Sequence, residues 1–307
     1  MKKKIPVGAT IAHAYRFVFG NALTVLKAIW LPLLAQLAAS FLLIKRMALF
    51  FAATLTRDPS AASLFGPLLL LMPLLFIFFC AQFAAATETA AGNPPQSWIA
   101  FHFGKTMWRL TGGFLLALLA ITVIGGLTLL VSTLGMVVFN FSVKIAPGNM
   151  LVAGLVALAV IIPSCVVVFI AIRFLFLLAP VNVLEQRQGV RRAWALSAGN
   201  FWRAFLITLA IVLPVAIINY VYGIVMAGPL HIPPGTPTTG KDAVAAIRAA
   251  LAAQRITQLN AMADQWYLTL PLNGLMMWFQ LGAGCAAQVF VWRKLTEDEG
   301  LAPIAGD

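Results

Sequence analysis

Six stretches of this chain, at about 28–50, 64–86, 110–137, 150–174, 204–227 and 267–291, are apolar for long enough to cross a hydrocarbon layer, which takes roughly 18–20 helical residues. A backbone in lipid must satisfy its own N–H and C=O groups, so each stretch is predicted to be an α-helix. Composition agrees: 62% of residues are hydrophobic and 10% charged, where a soluble domain carries about 25% charged residues. The predicted fold class is therefore all-α integral membrane, one polytopic domain over 1–307 with six transmembrane helices. The third stretch carries Gly112-Gly113 and Gly125-Gly126 and allows either a tilted helix or a broken one. Prolines 32, 73, 163, 214 and 271 fall inside five of the six runs and predict kinks.

The net charge of +12 comes from Lys and Arg scattered over short loops and helix ends, a distribution suited to anionic lipid rather than nucleic acid. Placing the N-terminus inside puts fourteen Lys and Arg on the inner side and seven on the outer, so both termini are expected to be cytoplasmic. The opening Met1-Lys-Lys-Lys-Ile-Pro and Ala12-His-Ala14 imitate a leader and its cleavage site. The segment between them is short and interrupted by Pro6 and Gly8, and no cleaved signal is expected. The external segment 229–266 is read as a Pro/Gly/Thr-rich loop followed by a helix with Val244, Ile247 and Leu251 on one stripe.

A local pattern recurs before the first, third and fifth spans: an amphipathic stretch with a glycine near its middle, namely Gly20, Gly104 and Gly199. At 100° per residue the first sets Ile11, Tyr15 and Val18 against His13, Arg16 and Lys27. The second sets Ile99, Phe103 and Met107 against His102, Lys105 and Arg109, and the third sets Trp194, Phe201 and Phe205 against Arg192 and Arg203. The expectation is three units, each an amphipathic helix plus a two-helix hairpin, with a pseudo-threefold internal repeat and basic faces toward anionic headgroups.

Motifs for chemistry are sparse. Gly235-Thr-Pro-Thr-Thr-Gly-Lys-Asp242 nearly matches a phosphate-binding loop, but Asp242 stands where a magnesium-binding Ser or Thr is needed. Asn140-Phe-Ser142 is a formal glycosylation triplet, and the histidines 13, 102 and 231 lack metal-ligand spacing. Cys80, Cys165 and Cys285 lie in apolar runs and suggest no disulfide framework. No catalytic residues, cofactor or metal are expected. The amides Gln36, Gln82, Asn219, Asn273, Gln280 and Gln288 are the polar groups of the spans, and no Asp or Glu sits securely inside one, which weakens ion-coupled transport. Arg173 is the ionisable exception, followed by eight more apolar residues, with Glu185 its nearest acidic neighbour in sequence.

The stretch Arg173-Phe-Leu-Phe-Leu-Leu-Ala-Pro180, Val-Asn-Val-Leu-Glu185, Gly189-Val-Arg-Arg-Ala-Trp-Ala-Leu-Ser197-Ala-Gly-Asn-Phe-Trp202 resembles the membrane domain of glycerophosphoryl diester phosphodiesterases and the related bacterial YciC-type inner-membrane proteins. The resemblance covers about 30 residues firmly and the remainder through hydropathy. It implies a six-span protein of the bacterial cytoplasmic membrane, fused in some relatives to a soluble phosphodiesterase barrel. These 307 residues leave no length for such a barrel and no His-Arg or Glu-x-Asp cluster for it, so hydrolysis is not carried over. The functional expectation is a non-enzymatic protein of envelope or lipid homeostasis whose partners are membrane lipids, anionic ones above all, or a membrane-protein partner. Candidate ligand-binding residues are Arg173, Glu185, Arg191, Arg192, Trp202, Arg203, Lys105, Arg109 and Arg16. The alternatives are a transporter or channel for a small solute or lipid, favoured by one cavity joining Arg173, Gln82 and Gln280, and a membrane subunit of a larger assembly.

Overall fold

The computed structural model describes residues 4–56, 58–98, 104–145, 150–186, 189–227 and 240–297. Among the described residues there are ten helices and no strand: α1 (Val7–Gly20), α2 (Ala22–Thr56), α3 (Ala61–Ala90), α4 (Lys105–Ile145), α5 (Met150–Leu175), α6 (Leu178–Leu184), α7 (Val190–Leu196), α8 (Phe201–Ala227), α9 (Gly240–Asp264) and α10 (Trp266–Thr296). Six helical segments are long and apolar enough to cross a membrane, and each expected span lies in the corresponding long helix. The Gly-rich third span is one helix, α4. Prolines 32, 73, 214 and 271 sit within helices α2, α3, α8 and α10.

The fourth span is α5, Met150–Leu175, and the apolar run continues beyond it to Leu184 across a break at Phe176–Leu177. Pro180 accounts for the break, since its ring would strike the carbonyl of residue 176 and it has no N–H to continue the α5 ladder. In the first turn of a new helix the same residue costs no hydrogen bond. The result is the short helix α6, whose residues Leu178 to Val183 are all buried. Gln186, at φ 52°, then turns the chain sharply, and α7 returns against α5 and α6.

Small residues let the helices approach closely. Ala81, Ala84, Ala85 and Ala86 of α3 are buried, as are Gly282, Ala283, Ala286 and Ala287 of α10, and the two helices pack together. A Cβ on Gly282 would lie 2.7 Å from Val18 Cγ2, so this glycine seats α1 on α10. Gln82 Nε2 donates to the Pro32 carbonyl at 3.3 Å and to Gln36 Oε1, tying α3 to α2 as expected of a bilayer amide.

The three amphipathic stretches are not built alike. The first is α1, which buries Thr10, Ala14 and Val18 and leaves His13 and Arg16 exposed. The second lies largely at 99–103, outside the described residues, with Lys105 opening α4. The third is cut in two: α7 has seven residues, and Gly199 at φ 82° separates it from α8. Arg192 and Arg203 therefore do not share one helical face, because the left-handed residue between them resets the rotation of the chain. In the segment between α8 and α10, α9 is helical and packs on α2 and α8. Leu251 is 49% exposed, while Leu259 and Ala263 further along the helix are buried. Val244 and Ile247, the loop at 235–239, His102, His231 and the side chains of Asn140 and Ser142 lie outside what is described.

Candidate functional site

Contacts between sequence-distant residues gather one end of the bundle. Ile5 meets Asn200 and Arg203, His13 stacks on Phe290, Arg293 donates to the Ala91 carbonyl at 2.9 Å, and Trp292 donates to Glu185 at 2.9 Å. The described Lys, Arg, Asp and Glu side chains at this end are Lys4, Arg16, Lys27, Lys105, Arg109, Arg173, Arg191, Arg192, Arg203, Arg293 and Lys294 against Glu88, Glu185 and Glu297. Positive charge dominates.

Within this end, an open cleft of about 420 Å³ is walled by Phe169 and Arg173 of α5 and by residues Gly199 to Arg203 at the start of α8. Arg173 ends α5 and is partly buried. Its Nη2 donates to the Trp194 carbonyl at 2.8 Å and its Nε to Ser197 Oγ at 3.5 Å. The guanidinium carbon lies 3.8 Å from the centroid of Trp194 and 5.6 Å from that of Phe169, contacts worth roughly 0.5–2 kcal/mol as cation–π pairs. Ser197 Oγ returns a bond to the Arg173 carbonyl at 3.1 Å. The cation is thus oriented without a carboxylate.

Arg203 is the second cation of the cleft. Its Nη1 donates to the Ile5 carbonyl at 3.1 Å, while the Ile5 N–H donates to Asn200 Oδ1 at 3.2 Å. The segment ahead of α1 is thereby clamped to the start of α8, with Ile5 only 2% exposed. Trp202, 71% exposed, stands at the rim. Among the described residues no carboxylate lines the cleft.

The other expected residues lie elsewhere. Glu185 does not neutralise Arg173. It is 3% exposed and accepts from Trp292 Nε1 at 2.9 Å and Arg192 Nε at 3.5 Å, because the turn at Gln186 swings α7 back over α6. Arg191, Arg16 and Lys105 are exposed outside the cleft. Arg109 is partly buried and its Nη1 has no acceptor among the described residues. Arg173, Gln82 and Gln280 do not share a cavity: Gln82 is held by Gln36, and Gln280 lines a separate space deeper in the bundle. Sequence reasoning missed Asn200, Phe169 and Ile5. Phe169 had a readable signal, since it precedes Arg173 by four residues on one helix face; the contact between Ile5 and Asn200 had none.

His13 stacks on Phe290 with centroids 4.7 Å apart. Partial desolvation beneath Phe290 first, then the charges of Arg293 and Arg16, hold its pKa below the ordinary 6.5. The unfolded chain then binds this proton more readily, so the site is neutral and without penalty above pH 6.5 and costs stability as pH falls below that value. Wild type should lose thermal stability between pH 7 and 5 more steeply than His13→Gln, measured as apparent Tm in the same detergent. Equal slopes would show that His13 does not contribute.

Comparison with family models, curated proteins and solved structures returned no match for the chain. Among the described residues no cluster of His, Cys, Asp or Glu could hold a metal ion.

Proposed function

We propose that this multi-pass membrane protein binds the headgroup of an anionic phospholipid in the Arg173–Arg203 cleft, with that end of the bundle on the cytoplasmic face of a bacterial inner membrane. The observation that carries the reading is the pair of guanidiniums bordering one open cleft that no carboxylate lines among the described residues. Guanidinium donors match phosphate oxygens in a bidentate geometry. Arg173 is already oriented by Trp194 and Ser197, so little side-chain freedom would be lost on binding. Trp202 at the rim suits the amphipathic layer where headgroups meet acyl chains, and the excess of basic side chains at the same end attracts anionic lipid. A role in lipid or envelope homeostasis follows from binding rather than catalysis, in keeping with the resemblance of residues 173–202.

Native mass spectrometry of the purified protein tests this. Wild type should retain phosphatidylglycerol or cardiolipin. The double variant Arg173→Gln/Arg203→Gln, shown to be folded by its thermal melt, should bind it roughly tenfold less or weaker still, as expected for the loss of two charge-assisted contacts. Arg16→Gln/Lys105→Gln, equal in charge change but outside the cleft, should change occupancy little. Equal lipid retention by the wild type and the cleft variant would overturn the reading.

A further inference from the structure

A second cavity, of about 200 Å³, lies within the membrane-spanning part of the bundle, bounded by α3, α8, α10 and the turn before α6. Phe79 and Phe83 form its apolar wall, and Gln280, Gly284 and Gln288 form one face of α10 at spacings of four residues, which places the two amides roughly 12 Å apart along the axis. Among the described residues no charged side chain lines it.

Three observations ask for an occupant. Gln288 Oε1 is buried and has no donor among the described residues, and no described side-chain or backbone group holds the Gln280 amide. In hydrocarbon an amide left unsatisfied is strongly disfavoured, so a hydrogen-bonding group is needed there. Between them, a Cβ on Gly284 would meet nothing within 4 Å, so the wall is hollow where a small polar group would stand between the amides. Val212 of α8 also lines the cavity and is 36% exposed, so the space reaches the surface that faces the bilayer.

We infer that this cavity binds the end of a single-chain lipid terminating in an uncharged O–H group, the chemistry shared by a long-chain alcohol and a protonated fatty acid. A hydroxyl both donates and accepts, so it can supply the donor that Gln288 Oε1 lacks. The absence of a countercharge excludes an ionised head. The volume lies below the roughly 300–1,000 Å³ of pockets that enclose a whole ligand, so the site takes one chain end while the remainder stays among the lipid tails. This inference is independent of the anionic-headgroup reading, because no residue is common to the two cavities.

The test compares hexadecanol, palmitic acid and hexadecane for binding to the detergent-solubilised protein by native mass spectrometry. Hexadecanol should bind wild type saturably and at least tenfold better than hexadecane. Gly284→Leu, which fills the hollow with a residue that favours helix, should lose hexadecanol binding at least tenfold while Arg173→Gln/Arg203→Gln keeps it. Palmitic acid binding that appears only where the acid is protonated would point to a fatty acid as the natural source; hexadecanol binding alone would point to an alcohol. If Gly284→Leu fails to fold, Gln280→Leu/Gln288→Leu should erase the preference for hexadecanol over hexadecane. Equal binding of hexadecane and hexadecanol to wild type, or undiminished binding in folded Gly284→Leu, would overturn the inference.

Discussion

Alanine in place of Gly113 is expected to lower the apparent Tm by about 5–10 °C, the equivalent of roughly 2–4 kcal/mol. The added Cβ would stand 2.3 Å from Asn182 Nδ2 and 3.1 Å from its Cγ. Asn182 is fully buried, and its Oδ1 accepts the N–H of Gly189 at 2.9 Å, the bond that positions the start of α7. Its amide cannot retreat without breaking that bond and leaving a buried N–H unpaired, at about 1–3 kcal/mol, in addition to the overpacking itself. The two effects share one side chain, so the substitutions should be strongly non-additive: in an Asn182→Ala background, Gly113→Ala should cost far less. An undiminished cost in that background would mean that α4 is displaced for a different reason.

Glu185→Leu should be nearly as damaging, at roughly 3 kcal/mol, while Glu185→Gln should cost about 1 kcal/mol or less. Leucine keeps much of the volume but deprives Trp292 Nε1 of its acceptor and leaves Arg192 beside a buried apolar group. Glutamine retains an oxygen for the indole and gives up the charge attraction to Arg192, whose side chain is 24% exposed and can turn toward solvent. Thermal melts of the three proteins in one detergent decide it. A leucine variant as stable as the glutamine one would show that the junction of α6, α7 and α10 is held by packing alone.

What was legible in the sequence was what depends on composition over a long window. The six spans emerge because hydrocarbon demands a minimum apolar length, and that demand is indifferent to tertiary partners. The two faces of α1 were legible for a similar reason, since the 3.6-residue period separates Val18 from Arg16 on any helix. The third amphipathic stretch misled, because periodicity assumes an unbroken helix and Gly199 breaks it with φ 82°. The break before α6 was written in Pro180, but a continuous apolar run obscured it. The cleft combines both kinds of information. Arg173 stood out as an ionisable group in an apolar run, yet its partnership with Trp194 and the transfer of Glu185 to Arg192 and Trp292 depend on a turn at Gln186 that a short apolar-to-basic stretch does not announce.

The seating of α1 on α10, through Val18 against Gly282 and His13 over Phe290, bears on how the molecule is assembled during synthesis. A chain emerges from its N-terminal side, so α1 is made long before the helix that covers it, and more than two hundred residues separate the two. Until α10 enters the bilayer, α1 lacks its main described partner and rests on α8 and α2, so its apolar stripe must shelter in the lipid interface. Insertion of the last span is therefore the step that closes the structure, and shortening the chain ahead of α10 should leave α1 open to protease at the membrane surface even though five spans are already in place.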